Sequence, residues 1–405
     1  MANTLLTIDM ITREALRLWK NTNAFMMHVS TQYDDQYAKS GAKIGSTLRI
    51  RLPVDYIVSD GPALQVQSTT ETNTVLTLAT QRHVDVSFTT EERTMKLDDY
   101  SRIILAPAVN NLAGNVAAAV MSGAEAGIAN FEANVDGSGN IVAPSAETYL
   151  LAGARLDNQS APDMDRRAIT SPNTMARSVA NFSGLLNPSA AIGEQYTKGM
   201  IRTAWGLDFF KDQTVIRHTG GTYDSLGTVS GANQTGLTLT VNAITGTLNA
   251  GDIITLEDVN QVNRITKESV GSPMQFVVTS DVASGATSIP IYPAIVPADG
   301  SGDPVQYQTV TQSPANGAVV SLVNPAGVTY IKNFLFVPDA VTLAFADLEI
   351  PRGVHEAARE EFDGVSMRMI TDYIIATDQM ATRLDVLFGY NWLRPEWAST
   401  VADKV

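Results

Sequence analysis

Between residues 221 and 330 the chain carries two basic side chains, Arg264 and Lys267, against eight acidic ones, and Thr, Ser, Val, Gly and Pro dominate. Short strands are legible at 237–241, 253–256, 275–278, 288–292 and 319–323. Turn residues separate them at regular spacing, which predicts a small β-barrel or sandwich. On both sides the sequence mixes helical and strand patterns. The stretch 222–332 therefore reads as a domain inserted into a host, which chains accommodate where the host's ends meet at a surface turn.

The flanking sequence is read from its periods. Residues 7–20 place Ile8, Ile11, Ala15 and Leu18 on one helical face. Asp9 in the first turn and Arg17 and Lys20 in the last suit the helix dipole. Residues 24–45 lack a period and read as an extended arm. Leu48-Arg49-Ile50-Arg51-Leu52 and Val84-Asp85-Val86-Ser87-Phe88 alternate strictly, so each is a strand with one wet face. With the turn Asp60-Gly61-Pro62 between them they form a long two-stranded excursion, which needs a surface to lie on.

Residues 98–131 predict one long spine helix, with Asp98 as N-cap and Leu112, Val116, Val120 and Ile128 on related faces. Gly123 and Gly127 would let another backbone come close. The uncharged run 103–124 holds Pro107, Asn110, Asn111 and Asn115, too many polar or helix-weakening groups for a bilayer span. A further helix is expected over 191–205 and a strand near Val215-Ile216. Strands are expected again at 334–337, 341–344, 367–376 and 383–388. The run Phe388-Gly389-Tyr390-Asn391-Trp392 ends in Arg394-Pro395-Glu396.

Catalytic patterns are missing. The 405 residues contain no Cys, which removes thiolate catalysis, iron–sulfur clusters, Cys-ligated zinc and disulfide scaffolds. The four histidines, His28, His83, His218 and His355, lie far apart. His355-Glu356 begins a zinc-protease-like helix, but Arg359 stands where the second histidine belongs. Asp136, Ser138, Asn140 and Glu147 fit an EF-hand count, yet Ile141 replaces its obligatory glycine, so a polar turn is expected. No catalytic, cofactor or metal residue is assigned. With 42 acidic against 28 basic residues, a formal charge of −14, the chain is a poor phosphate binder. The first residues lack a secretory pattern, and an intracellular protein is expected.

The order of these elements resembles the major capsid proteins of tailed bacteriophages, the HK-ninety-seven-type fold. More narrowly it resembles the P-twenty-two-type coat proteins that carry an insertion domain. The pieces that carry the resemblance are Thr228-Val229-Ser230-Gly231-Ala232, Gly251-Asp252-Ile253-Ile254, and Phe388-Gly389-Tyr390-Asn391 with Arg394-Pro395-Glu396.

The resemblance implies an α+β capsid fold with an N-terminal arm (1–45), an extended β-loop (46–92) and a core with spine helix, peripheral and axial domains (93–221 and 333–405). The inserted β-barrel is 222–332. It implies a non-enzymatic subunit that builds an icosahedral shell from hexamers and pentamers around double-stranded DNA, without sequence-specific binding. Scaffolding protein and a portal at one vertex are the implied partners. Assembly takes place in the host cytoplasm, with no membrane and no cofactor. Asp9, Arg13, Glu14 and Arg17 are the arm's charges available for scaffold or neighbour contacts. One departure stands out: Thr235 and Gly236 lead straight into Leu237, so the longer charged loop of some relatives, which contacts another capsomer, is shortened. Rival readings are a bacterial cargo compartment of the same fold, a β-rich adhesin and a metal-dependent hydrolase.

Overall fold

The computed structural model describes residues 8–20, 23–31, 47–52, 54–58, 61, 62, 64, 66, 72–89, 104–182, 201–362, 364–376 and 379–405. In chain order these form α1 (Ile8–Lys20), β1 (Thr47–Arg51), β2 (Asn73–Thr77), β3 (Thr80–Thr89), α2 (Ala106–Ala124), β4 (Phe131–Ala133), α3 (Ala146–Asn158), β5 (Arg167–Thr170) and α4 (Pro172–Phe182). Next come β6 (Thr203–Ala204), β7 (Leu207–Lys211), β8 (Arg217–Thr219), β9 (Gly236–Thr240), β10 (Ile253–Val262), β11 (Ser269–Val278), β12 (Ser288–Ile295) and β13 (Val320–Leu322). The last are β14 (Thr329–Phe336), β15 (Val341–Ala346), β16 (Glu356–Phe362), β17 (Val365–Ile374), β18 (Gln379–Trp392) and β19 (Ala398–Lys404).

The chain packs as two compact units. The first comprises Met1–Ile50, Asn73–Val120 and Val341–Leu393. Its hub is β18, which pairs with β3 over 379–388, with β17 over 379–385 and with β15 over 387–392. Inside that sheet Asp385 is fully buried and accepts hydrogen bonds from Arg368 Nε (3.0 Å) and Gln81 Nε2 (2.8 Å). β1 and β2 make a separate ribbon whose Ile50 and Leu76 pack with Leu78 and Ala344. Gly389 is required there, because a Cβ would sit 2.2 Å from the Thr77 carbonyl oxygen.

α1 lies across β16 and β17. Its deepest face is Thr12, Ala15, Leu16 and Trp19, one step round from the expected Ile8, Ile11, Ala15 and Leu18. The large Trp19 ring decides the rotation, packing edge-on against Phe345 at 6.1 Å.

The second unit comprises Arg51–Thr72, Met121–Ala340 and Arg394–Val405. A seven-stranded mixed sheet runs β4-β19-β14-β5-β7-β6, with β8 also on β14. α3 and α4 cover it through Tyr149, Ala152, Met175 and Phe182, which meet Phe209, Leu335 and Val401. α3 opens with a capping box in which Ser145 and Thr148 satisfy each other's backbone amides.

A second sheet runs β13-β10-β11-β12-β9. Residues 228 and 229 close it, because Thr228 bridges Val319 and Val229 bridges Val241. The result is a small barrel filled by Leu239, Ile254, Phe276, Ile289 and Val320 among others. Successive strand residues point to opposite faces. Ile253 and Val277 therefore leave the barrel interior and pack on Phe131, Tyr330 and Ala402 of the larger sheet.

Several expectations need correction. The strands at 48–52 and 84–88 do not pair as one two-stranded excursion: β1 pairs with β2, and β3 pairs with β18. The spine helix is shorter than 98–131: it spans Ala106–Ala124, and residues 98–103 lie outside those described. Gly123 is exposed, and a Cβ on Gly127 would touch Pro395 only at 3.9 Å, so neither serves a close approach. Of the helix expected over 191–205, residues 191–200 lie outside the described set, and Thr203–Ala204 is a strand. Val215 and Ile216 precede β8 rather than forming it. The expected arm falls largely on residues 32–46, outside those described. The zinc-protease-like helix at His355 is instead strand β16.

Candidate assembly surfaces

α1 presents all four of the expected contact charges. Asp9, Arg13 and Arg17 are exposed and Glu14 is half-buried. Arg17 donates to both Glu14 carboxylate oxygens, at 2.8 and 2.7 Å, and so holds the Glu14 carboxyl below its usual pKa. Arg13 reaches Glu360 on β16 at 3.2 Å. Asp9 is on the exposed side of the first turn. The helix is thus pinned by its apolar face and displays mixed charge outward.

A second surface lies within residues 51–72, where Tyr56, Val58, Leu64 and Val66 are exposed. Val58 and Leu64 are each 90% exposed. The foot of this segment is fastened to the barrel. Arg264 donates from Nε to Asp55 and from Nη1 to Glu396, both at 2.8 Å. Gln306 Nε2 donates to the Asp55 carbonyl at 2.7 Å, and Lys267 Nζ to the Gln306 carbonyl at 3.2 Å. A cavity of about 150 Å³ opens beside Arg264, lined also by Tyr292, Tyr307 and Glu396. The two basic residues of the 221–330 stretch therefore sit together, as one clamp. Nothing in the local sequence identified it, because its acidic partners come from both ends of the chain; the scarcity of basic residues was the available signal.

The third arrangement is buried, where the barrel meets the larger sheet. His218 on β8 is 3% exposed. Its Nδ1 meets Glu125, just beyond α2, and its Nε2 meets Asp252 Oδ1 at 2.8 Å. Asp252, fully buried, also accepts from Asn249 N (2.7 Å), Gly221 N (2.9 Å) and Asn324 Nδ2 (2.9 Å). Burial disfavours the Asp252 carboxylate, but these donors outweigh it and its pKa is lowered. Lys332 on β14 is buried and donates to the Gly251 carbonyl at 2.9 Å. Burial pulls its pKa down to about 8, against the attraction of Glu125 and Asp252. Gly251 has φ +97°, and a Cβ there would lie 2.5 Å from Glu125 Cγ, so this position demands glycine. Gln275 adds a further tie, giving and accepting backbone bonds at Phe131 (3.0 and 2.8 Å).

The loop at Asp136 is a polar turn: its Oδ1 accepts from the amides of Ser138 and Asn140, both at 2.9 Å. Among the described residues no group of three His, Asp or Glu side chains is arranged to hold a metal, and no helix is long and apolar enough to cross a membrane.

A family model for the P22 coat protein, gene protein 5, matches residues 26–400. The chain is similar to a solved Mycobacterium phage Che8 structure at 10% identity, covering 94% of this chain and 90% of that one with TM-score 0.47. It is similar to the capsid structure of cyanophage P-SCSP1u at 12% identity, covering 93% and 89%, with TM-score 0.44. The CUS-3 coat protein I-domain matches at 27% identity over 25% of this chain and 97% of that one, with TM-score 0.20. No curated protein matches.

Proposed function

Because this chain belongs to the P22 coat protein family, and so is a major capsid protein of an icosahedral bacteriophage shell, we propose that α1, the 46–92 excursion and the barrel are the devices by which its copies assemble. The match over residues 26–400 is the observation that carries the shell reading; α1 precedes the matched stretch and enters on its own seat and charges. The subunit acts as a structural component of the virion, without enzymatic activity. Hexamers and pentamers tile the shell, with a portal at one vertex and double-stranded DNA packaged inside. Many contacts, each weak enough to be corrected, together fix such a lattice.

In this division the exposed face of α1, with Asp9, Arg13, Glu14 and Arg17, meets scaffolding protein or a neighbouring subunit. Support comes from the helix's fixed seat and outward charge. Of the expected 46–92 excursion, β3 stays in the subunit's own sheet on β18, and the 51–72 part lies over a neighbour, which would cover Val58, Leu64 and Val66. The 222–332 barrel is an inserted domain that braces the subunit, which its own apolar interior supports. A formal charge of −14 suits a wall that holds packaged DNA loosely, since few phosphate contacts oppose its exit. Assembly proceeds in the host cytoplasm. Co-expression of the full chain with its phage's scaffolding protein tests the proposal by sedimentation. Rapidly sedimenting particles that require both proteins are expected; slow, unassembled subunits under all conditions would contradict it.

A further inference from the structure

We propose that His218 is a protonation latch that fastens the barrel to the sheet and helix end beneath it while its ring is cationic, and loosens it when the ring is neutral. A neutral imidazole has one N–H and one acceptor nitrogen, whereas a carboxylate can only accept. His218 places one ring nitrogen on Glu125 and the other on Asp252, so two ionised carboxylates are both served only by the imidazolium. The groups facing the ring come from three places. Glu125 follows α2, Asp252 immediately precedes the barrel strand β10, and Lys332 and Tyr330 belong to β14, with the Tyr330 ring edge-on at 5.3 Å. Asn324 enters through Asp252.

With His218 and Lys332 cationic, this set, buried except for Glu125 at 22% side-chain exposure, sums to zero charge, two positive against two negative. Removing the ring proton leaves an excess negative charge and one lost donor beside the fully buried Asp252, which low-polarity surroundings penalise. The consequence falls on the barrel, because Asp252 also holds the amides of Gly221 and Asn249, where the chain enters the barrel and leads into β10.

The direction of the pH dependence follows. Burial alone would disfavour the imidazolium, but the bonds to Asp252 and Glu125 outweigh it, and the His218 pKa is raised. Its contribution is therefore complete below about 6.5, the ordinary histidine value. It is lost as pH rises through the higher value of the folded state. Lys332, depressed to about 8, acts in the opposite sense between there and its ordinary value. The latch's signature thus begins above about 6.5, before lysine neutralisation opposes it.

The inference concerns the single subunit and stands or falls independently of shell assembly. The test uses the full-length protein and Glu125→Gln. The Gln amide can donate to a neutral His218 ring, whose remaining N–H serves Asp252, so the variant satisfies the site without imidazolium. His218 titration is read from the pH dependence of its C2 hydrogen–deuterium exchange by mass spectrometry, and stability from unfolding midpoints between pH 6 and 8. The proposal expects half-titration above the ordinary value in the parent, a midpoint that falls with pH, and both effects reduced in the variant. Half-titration at or below 6.5 in the parent would overturn it, with no variant needed. So would a variant whose midpoint falls as steeply as the parent's.

Discussion

At the scale of single residues the structure turns on side chains that join distant pieces of sequence. Arg264 binds Asp55, 209 positions away, and Glu396, 132 positions away. Its side chain is only 25% exposed, so truncation leaves two carboxylates facing each other in partial burial. Arg264→Ala should cost about 2–4 kcal/mol in urea unfolding, while Arg264→Lys recovers only part because it cannot reach both carboxylates as a fork. Equal midpoints for Ala and parent would remove the clamp from the account. Gly251→Ala meets both a left-handed backbone and the Glu125 side chain. A loss of about 1–3 kcal/mol is expected from strain and displacement, read by the same unfolding curves. The Gly251-Asp252 pair was visible in the sequence as part of a resemblance, and the structure supplies its reason: the glycine admits Glu125, and the aspartate gathers four donors. His218 could be read only as one of four scattered histidines. Its partners are 93 and 34 positions away, and no local pattern announces such a meeting.

At the scale of elements, period was informative wherever one face of an element is wet. The alternating 48–52 and 84–88 became β1 and β3, and the five short strands of the barrel lie within a few residues of their expected places. Several strands went unread, β2, β4, β5, β6 and β7 among them, and two others show why. β16 reads Glu-Ala-Ala-Arg-Glu-Glu-Phe, a composition that favours helix, and its pairing along β17 overrides that preference. β19 reads Ala-Ser-Thr-Val-Ala-Asp-Lys, with a weak pattern, because it is buried between β14 and β4 and needs no wet face.

The seat of α1 also separates structure from assembly. Trp19→Ala should cost about 3–5 kcal/mol, since a large ring leaves a cavity beside Phe345. Arg13→Ala with Arg17→Ala should leave the melting temperature unchanged, because exposed pairs contribute little. The same double variant is expected to reduce scaffold-directed particle yield in a sedimentation assay. Normal yield from it would move the scaffold contact off this helix face.

At the scale of the whole molecule, the acidic composition and the absence of cysteine limited the chemistry open to the chain, and the order of elements suggested the shell. The barrel's interior is built almost entirely from residues 223–320, so the 222–332 fragment should unfold cooperatively by circular dichroism. Its Ile253 and Val277 would be uncovered, and the free fragment should bind a hydrophobic dye more than the same barrel does in the full chain. A random-coil spectrum would reject the domain boundary. Every larger claim rests on many copies of one chain closing on themselves. Electron microscopy of the full-length protein co-expressed with its scaffolding protein addresses this directly. Uniform closed icosahedral particles are the predicted result; monomers or irregular aggregates, from protein that is demonstrably folded, would contradict the account.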